Sequence, residues 1–292
     1  MSEGPLDLPP PLAPPPFWQR VAGLRRRMSW KQAFTALKYP NYRLWFWSQM
    51  FSMFGTWMES TALGFLVYDL TKSPAYLGLV GFAAGVPTWL FMLYAGVIAD
   101  RMPRRKLLII TQTAMMLLAF ATAGLTFLHL IRPWHILVMA FFLGAANAFE
   151  APARQSFILE MVDREDMTNA IALNSAMFNT AMAVGPAAGG LIYGFLGPAW
   201  CFAINGVTFV AVIVALRRMR LAPFAPPARR ASALADLREG LKYVSAHPLI
   251  RTIIGLIGVL SVFGVSFVTL FPAWAVHVLH GDARTNGFLQ SA

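Results

Sequence analysis

The sequence is poor in charge, and poorest in acid. Only 13% of its 292 residues are Asp, Glu, Lys or Arg, against roughly 25% in an ordinary soluble domain, and 13 acidic residues stand beside 24 basic ones. Too few charges remain to clothe a water-facing surface of this length, which excludes a soluble globular core as the main fold. Cysteine is nearly absent: Cys201 alone can form no intrachain disulfide and carries no message about redox compartment. No GxxxxGK[ST], HExxH or GxSxG stretch occurs, so a phosphate loop, a zinc-protease helix and a serine-hydrolase elbow have no basis in the chain. His277 and His280 lie three apart, but without nearby cysteines or a set of carboxylates they make a poor metal site. No enzyme chemistry and no cofactor are implied.

What the chain has instead is apolar length. Hydrophobic residues make up 57% of it, and the mean hydropathy is +0.56. Crossing a hydrocarbon core of roughly 30 Å takes about 20 residues of helix. Apolar stretches of about that length recur near 44–68, 75–99, 107–130, 133–153, 168–193, 199–216 and 249–274. Backbone polar groups in lipid must be satisfied within the segment, and these runs are too long and too uniformly apolar for barrel strands. The expected class is all-α and integral to the bilayer.

The formal charge of +11 could suggest nucleic acid, but the placement of the basic residues argues otherwise. With a cytoplasmic N-terminus, the inner side receives Arg20, Arg25, Arg26, Arg27, Lys31, Lys38 and Arg43, then Arg101, Arg104, Arg105 and Lys106. Arg154 and Arg164 follow between helices 4 and 5, and a last inner group runs from Arg217 to Arg251. Lys72, Arg132 and Arg284 remain outside. That bias is the positive-inside pattern, so a multi-pass protein of the bacterial inner membrane is expected, with no nucleic-acid partner.

Residues 1–40 read as a Pro-rich tail and juxtamembrane segment, without the basic start and apolar core of a signal peptide. Between Met28 and Leu37 the apolar Trp30, Phe34 and Leu37 share one helical face, which fits either a short helix on the inner leaflet or a solvated leader. Residues 41–220 hold six membrane helices. Residues 221–248 form a linker in which Leu234, Leu237, Leu241 and Val244 recur at helical spacing. Residues 249–292 supply a seventh helix and the start of an eighth.

The stretch "GVIADRMPRRKLLI" between helices 2 and 3 resembles the G-x-x-x-D-R-x-G-R-R signature of the major facilitator superfamily. Gly96, Asp100, Arg101, Arg104 and Arg105 fall on its positions, and Pro103 stands where the pattern has Gly. Gly96 can let helix 2 approach a neighbour closely. The resemblance implies that Asp100 belongs to a conformational latch with a helix of a second bundle; Glu150, near the inner end of helix 4, reads as a salt-bridge partner for the Arg104 region. The plainer reading is that the four basic residues anchor topology. In helix 5, "AVGPAAGGLI" carries Gly185, Pro186, Gly189 and Gly190, which resemble the G-P-x-x-G-G pattern of proton-exchanging exporters in that superfamily. Small residues here would permit backbone contact between helices. A weaker echo, "AAGVP" in helix 2 and "AVGP" in helix 5, suits inverted three-helix repeats.

"EAPARQSFILEMVDREDMTNAIALNSAMFN" and "GPAAGGLIYGFLGPAWCFAINGVTF" place the resemblance within the bacterial enterobactin-exporter-like, or transmembrane secretion effector, group. It implies a secondary transporter for small molecules such as siderophores or drug-like compounds, coupled to protons and working by alternating access. Such proteins usually have twelve helices, so the chain reads as an N-terminal six-helix bundle with helix 7 and the start of helix 8, truncated before the rest. A lipid or lysolipid facilitator and a non-transporting membrane component are the alternatives. Glu59, deep in helix 1, would cost about 2.5 kcal/mol or more unless it faces a cavity or partner, so it reads as a proton carrier or as a structural acid bonded between helices. Asn147, Asn174, Asn179 and Asn205 are candidates for the substrate cavity, or for interhelical hydrogen bonds.

The topology has a direct check. Cysteines replacing Arg105 and Ser232 should be labelled by an impermeant thiol reagent only from the cytoplasm, and one replacing Lys72 only from outside. Outside labelling at position 105 would reverse the orientation.

Overall fold

The computed structural model describes residues 34–221 and 233–292. Six long helices come first: α1 (Pro40–Thr71), α2 (Pro74–Arg101), α3 (Arg104–Phe127), α4 (Pro133–Ile158), α5 (Met167–Leu196) and α6 (Pro198–Arg218). They are followed by α7 (Ala233–Ala246), α8 (Pro248–Val259), α9 (Phe271–His277) and α10 (Ala283–Ser291). The starts are written in proline: Pro40, Pro74, Pro133, Pro198 and Pro248 open α1, α2, α4, α6 and α8. Their missing N–H would have no helical partner there, and their fixed φ suits the first turn. Gly197 alone joins α5 to α6, at φ 94° and ψ 166°, a conformation only glycine adopts without strain.

Among the described residues, four helices carry windows that are both long and apolar enough to cross a membrane, in α2, α3, α4 and α6. At 32 and 30 residues, α1 and α5 span about 48 and 45 Å at 1.5 Å per residue, so length is not what sets them apart. Polar residues do: α1 buries Ser48, Gln49, Ser52 and Thr61 inside the bundle. Large apolar side chains such as Phe82, Trp89 and Phe195 face outward, as a lipid-facing surface requires.

Within the first six helices, α2 packs along α4, α3 along α6, and α1 along α5 and α6. Close approach falls where side chains are smallest. A Cβ on Gly144 of α4 would run into the Ala84 backbone of α2, and one on Gly189 of α5 would stand 2.8 Å from the Met58 carbonyl oxygen of α1. Gly96 makes no such approach: open space surrounds its α carbon, so the tight α2 contact lies three turns earlier, at Ala84.

The end of the bundle that carries the basic loops is pinned by polar clamps. Lys38 Nζ lies 2.6 Å from Asp166 Oδ2, and the Tyr39 hydroxyl stands 2.8 Å from Asp166 and 2.9 Å from Asp163. These hydrogen bonds, Lys38 first, hold the Asp166 carboxyl below its ordinary range. The Asn41 amide donates to the Arg220 carbonyl at 2.7 Å and its oxygen accepts from Arg220 N–H at 3.2 Å, tying the start of α1 to the end of α6. Arg105 donates to the Arg217 carbonyl at 2.6 Å, satisfying an unpaired acceptor at the C-terminus of α6.

Helix 7 departs from the single α-helix expected over 249–274. After α8 the chain makes a π-helical turn (Leu260–Val265) and a 3₁₀ turn (Ser266–Leu270) before α9. Gly264 and Pro272 explain the irregularity, since one lacks a side chain to pack and the other cannot donate to the preceding turn. The start of the Met28–Leu37 segment and residues 222–232 of the 221–248 linker lie outside the described residues. Thr35–Lys38 is a short 3₁₀ turn, and α7 occupies the stretch where helical spacing was read.

Candidate functional site: a polar cavity between the helices

Along α1, Gln49, Ser52, Thr56, Glu59 and Ser60 recur at three- and four-residue steps and so form one face. That face lines a cavity of about 550 Å³, closed by side chains from α2, α3, α4, α6 and the segment after α8. Gln112 of α3, Asn147, Glu150 and Arg154 of α4, Asn205 of α6 and Gln290 of α10 complete its polar lining. Val80, Leu143, Phe178 and Phe209 supply apolar wall. The mixture is that of a ligand pocket: apolar walls with a few convergent polar groups.

Two acidic centres sit at different depths. Glu59 is 19 residues into α1, about 28 Å along the helix, whereas Glu150 lies eight residues, about 12 Å, from the basic end of α4. Asn205 Nδ2 donates to the Glu59 carboxylate. Asn205 is itself held by the Thr208 hydroxyl, which lies 3.0 Å from its side-chain oxygen, and it approaches α1 over the bare backbone of Gly55. Glu59 is thus both bonded between helices and half-buried at the cavity wall.

Glu150 pairs differently from the sequence expectation. Arg104 reaches Glu160, beyond the end of α4, while Glu150 Oε1 lies 3.4 Å from Arg154 Nε. The reason is helix length. α4 runs through Pro152 to Ile158, so Arg154 belongs to the helix, one turn from Glu150, and not to the loop where its charge was first counted. Gln112 also lies within hydrogen-bonding reach of Glu150.

Of the four asparagines expected at a cavity, Asn147 and Asn205 line this one, and Asn174 and Asn179 do not. Asn179 donates to the Ser175 carbonyl of its own helix at 2.8 Å, and the α5 side chain at the cavity wall is Phe178. Gln49, Gln112, Arg154 and Gln290 were missed. The repeat of polar residues along α1 was the available signal for Gln49.

The helix-5 glycines divide between two partners. Gly185 and Gly189 lie against α1, at Trp57 and Met58. Gly190 meets α10 backbone to backbone: a Cβ there would stand 2.6 Å from the Ala283 oxygen and 2.9 Å from the Gly287 α carbon. Next to Pro186, the Ala187 N–H donates to Ser291 Oγ at 2.9 Å. The Thr61 hydroxyl of α1 donates to Gln290 Oε1 of α10 at 2.8 Å, and the Tyr68 hydroxyl is hydrogen-bonded to the His277 ring of α9. The six-helix bundle therefore meets α9 and α10 on the side away from its basic loops.

In the GVIADRMPRRKLLI stretch, Asp100 falls in the last turn of α2, with its side chain outside the described ones. Arg101 is exposed, and Arg104 and Arg105 make the contacts given above.

A family model described as transmembrane secretion effector matches residues 31–292. The chain belongs to that family, within the major facilitator superfamily. It is 28% identical over 252 residues to a staphyloferrin A transporter of Staphylococcus aureus, a match covering 83% of this chain and 62% of the relative. It is 27% identical over 276 residues to the enterobactin exporter EntS of Shigella boydii and to that of Escherichia coli O1:K1, covering 91% of this chain and 64% of each relative. The chain thus spans a little under two thirds of the length of these relatives.

The α5–α10 contact makes its own forecast. Gly190→Leu has no room and should destabilise the protein by about 1–3 kcal/mol, the usual cost of overpacking, with α10 displaced from α5. Leu191→Phe, one position round the helix on an exposed face, should leave the melting temperature within a degree or two of wild type on the same reasoning about surface sites. Equal melting of the two variants would show that Gly190 is not a packing site.

Proposed function

We propose that this protein is a secondary active transporter, a proton-coupled exporter of small molecules working by alternating access. The observation that carries the reading is the cavity: an intramembrane chamber whose polar wall includes Glu59, a carboxylate open to the chamber and bonded to Asn205. An ionisable group at that depth serves a pathway or a relay more often than it serves packing. Siderophore-like cargo is the reading favoured by the names of the relatives.

In this scheme Glu59 takes and releases the coupling proton, exchanging the Asn205 hydrogen bond as it does so. The close backbone contact of Gly190 with Gly287 is the surface on which the two halves rock, because small residues let helices slide without moving bulky side chains. Asp100 acts at the other end as a latch toward a helix of the second half, where a helix N-terminus favours an anion. The N-terminus is cytoplasmic.

The test is Glu59→Gln in protein reconstituted into proteoliposomes. The variant should insert normally and lose proton-driven export of enterobactin, the molecule named for two of the relatives, by about tenfold or more, while keeping cargo exchange in the absence of a proton gradient. Export at the wild-type rate, with the same response to the gradient, would remove Glu59 from the coupling.

A further inference from the structure

Arg154 is the one cationic side chain among the described residues that line the cavity, and its hydrogen-bonding capacity is largely unspent. A guanidinium carries five N–H donors in a planar fork. Here the Nε–H makes no hydrogen bond, and Nη1 has only the Met53 sulfur, 4.0 Å away, which is a weak acceptor. The ion pair with Glu150 rests on a single 3.4 Å approach to Nε instead of two parallel bonds. Glu150 is 6% exposed, while the Arg154 side chain keeps 23% of its surface open.

A buried ion pair is stable only when the remaining donors are also satisfied. This one leaves donors of a guanidinium that lines the chamber without a strong acceptor. Beside it the Gln112 side-chain oxygen is buried without a partner, and Asn147 is exposed into the same space. The wall therefore offers charged donors, one free acceptor and an adaptable amide within a single pocket.

We propose that Arg154 is the cargo anchor: it binds an anionic oxygen group of the transported molecule, such as a carboxylate, while Gln112 accepts a hydrogen bond from a cargo hydroxyl or amide. Glu150 is the resident counterion that the cargo anion partly displaces. The assignment rests on the transport reading and adds the chemical class of the cargo. A molecule bearing only positive charge would meet the guanidinium as a like charge, which disfavours it.

The two members of the pair give opposite signs, which separates an anchor from a structural ion pair. Binding of citrate and of 2,3-dihydroxybenzoate to the purified protein in detergent, measured by calorimetry, is compared with binding of tetraphenylphosphonium. Arg154→Gln should weaken both anions by about tenfold or more, the loss expected for a charge-assisted contact. Arg154→Lys, which keeps the charge and loses the fork, should fall between. Glu150→Gln should tighten both anions, since it removes the competitor, and tetraphenylphosphonium should not follow this order. Undetectable binding of both anions by the wild-type protein, unchanged binding in Arg154→Gln, or weaker binding in Glu150→Gln would each overturn the assignment. If Arg154→Gln does not fold, the Glu150→Gln result decides alone. Binding is read without any gradient, so a failed anchor leaves the transport reading standing, and anion binding through Arg154 with no movement across proteoliposomes overturns that reading alone.

Discussion

Hydrocarbon offers no hydrogen-bond partners, and almost everything in this molecule follows from where its polar side chains go to find them. Charges are scarce in the chain, and three that sit within the helices border one chamber: Glu59 with Asn205, and Glu150 with Arg154 and Gln112. Removing any one partner leaves a buried polar group unpaired, a larger loss than the modest net worth of the bond itself. That constraint makes α1 the organising helix. Its apolar side packs the core through Trp45, Met58 and Leu66, and its polar stripe makes the cavity wall.

The second constraint is that lipid gives helices little reason to associate through apolar surface alone. Close packing must do it, and glycine supplies the closeness. The pairs Gly144 with Ala84, Gly189 with Met58 and Gly190 with Gly287 each bring two backbones together. The first two hold the six-helix bundle as a unit. The third joins it to α10, so the same chemistry serves both a fixed contact and one suited to sliding. On the opposite side, Asn41 with Arg220 and Lys38 with Asp166 tie chain segments more than a hundred residues apart. The first is a pair of hydrogen bonds to backbone and the second an exposed ion pair, a kind of contact that contributes little to stability and acts mainly to fix geometry.

Hydropathy made the six long helices legible, with ends displaced by a few residues, because a run of about 20 apolar residues has few other uses. α4 was read too short, since Pro152 and Arg154 look like a helix end. In lipid-facing proteins proline is carried inside helices whose neighbours re-satisfy the backbone, and Arg154 turned out to belong to the cavity wall. Pairings across the bundle were not legible. Neither Glu59 with Asn205 nor Arg104 with Glu160 follows from spacing, because both depend on the order of helices around the bundle. For the same reason Asn174 and Asn179 could not be told from Asn147 by composition. The helix-5 glycines were visible as a motif, but their division between α1 and α10 required the fold.

The central claim is that one face of α1 borders a water-accessible chamber while the opposite face borders lipid. Single cysteines placed along α1 in native membranes test it, read by their reaction rate with a small polar thiol reagent. Positions 52, 56, 60 and 63 line the cavity and should react, whereas positions 47 and 51, whose Trp and Phe side chains point outward at 47% and 57% exposure, should not. Reaction at Phe51→Cys as fast as at Thr56→Cys, or none at all along the 52–63 stripe, would contradict the account.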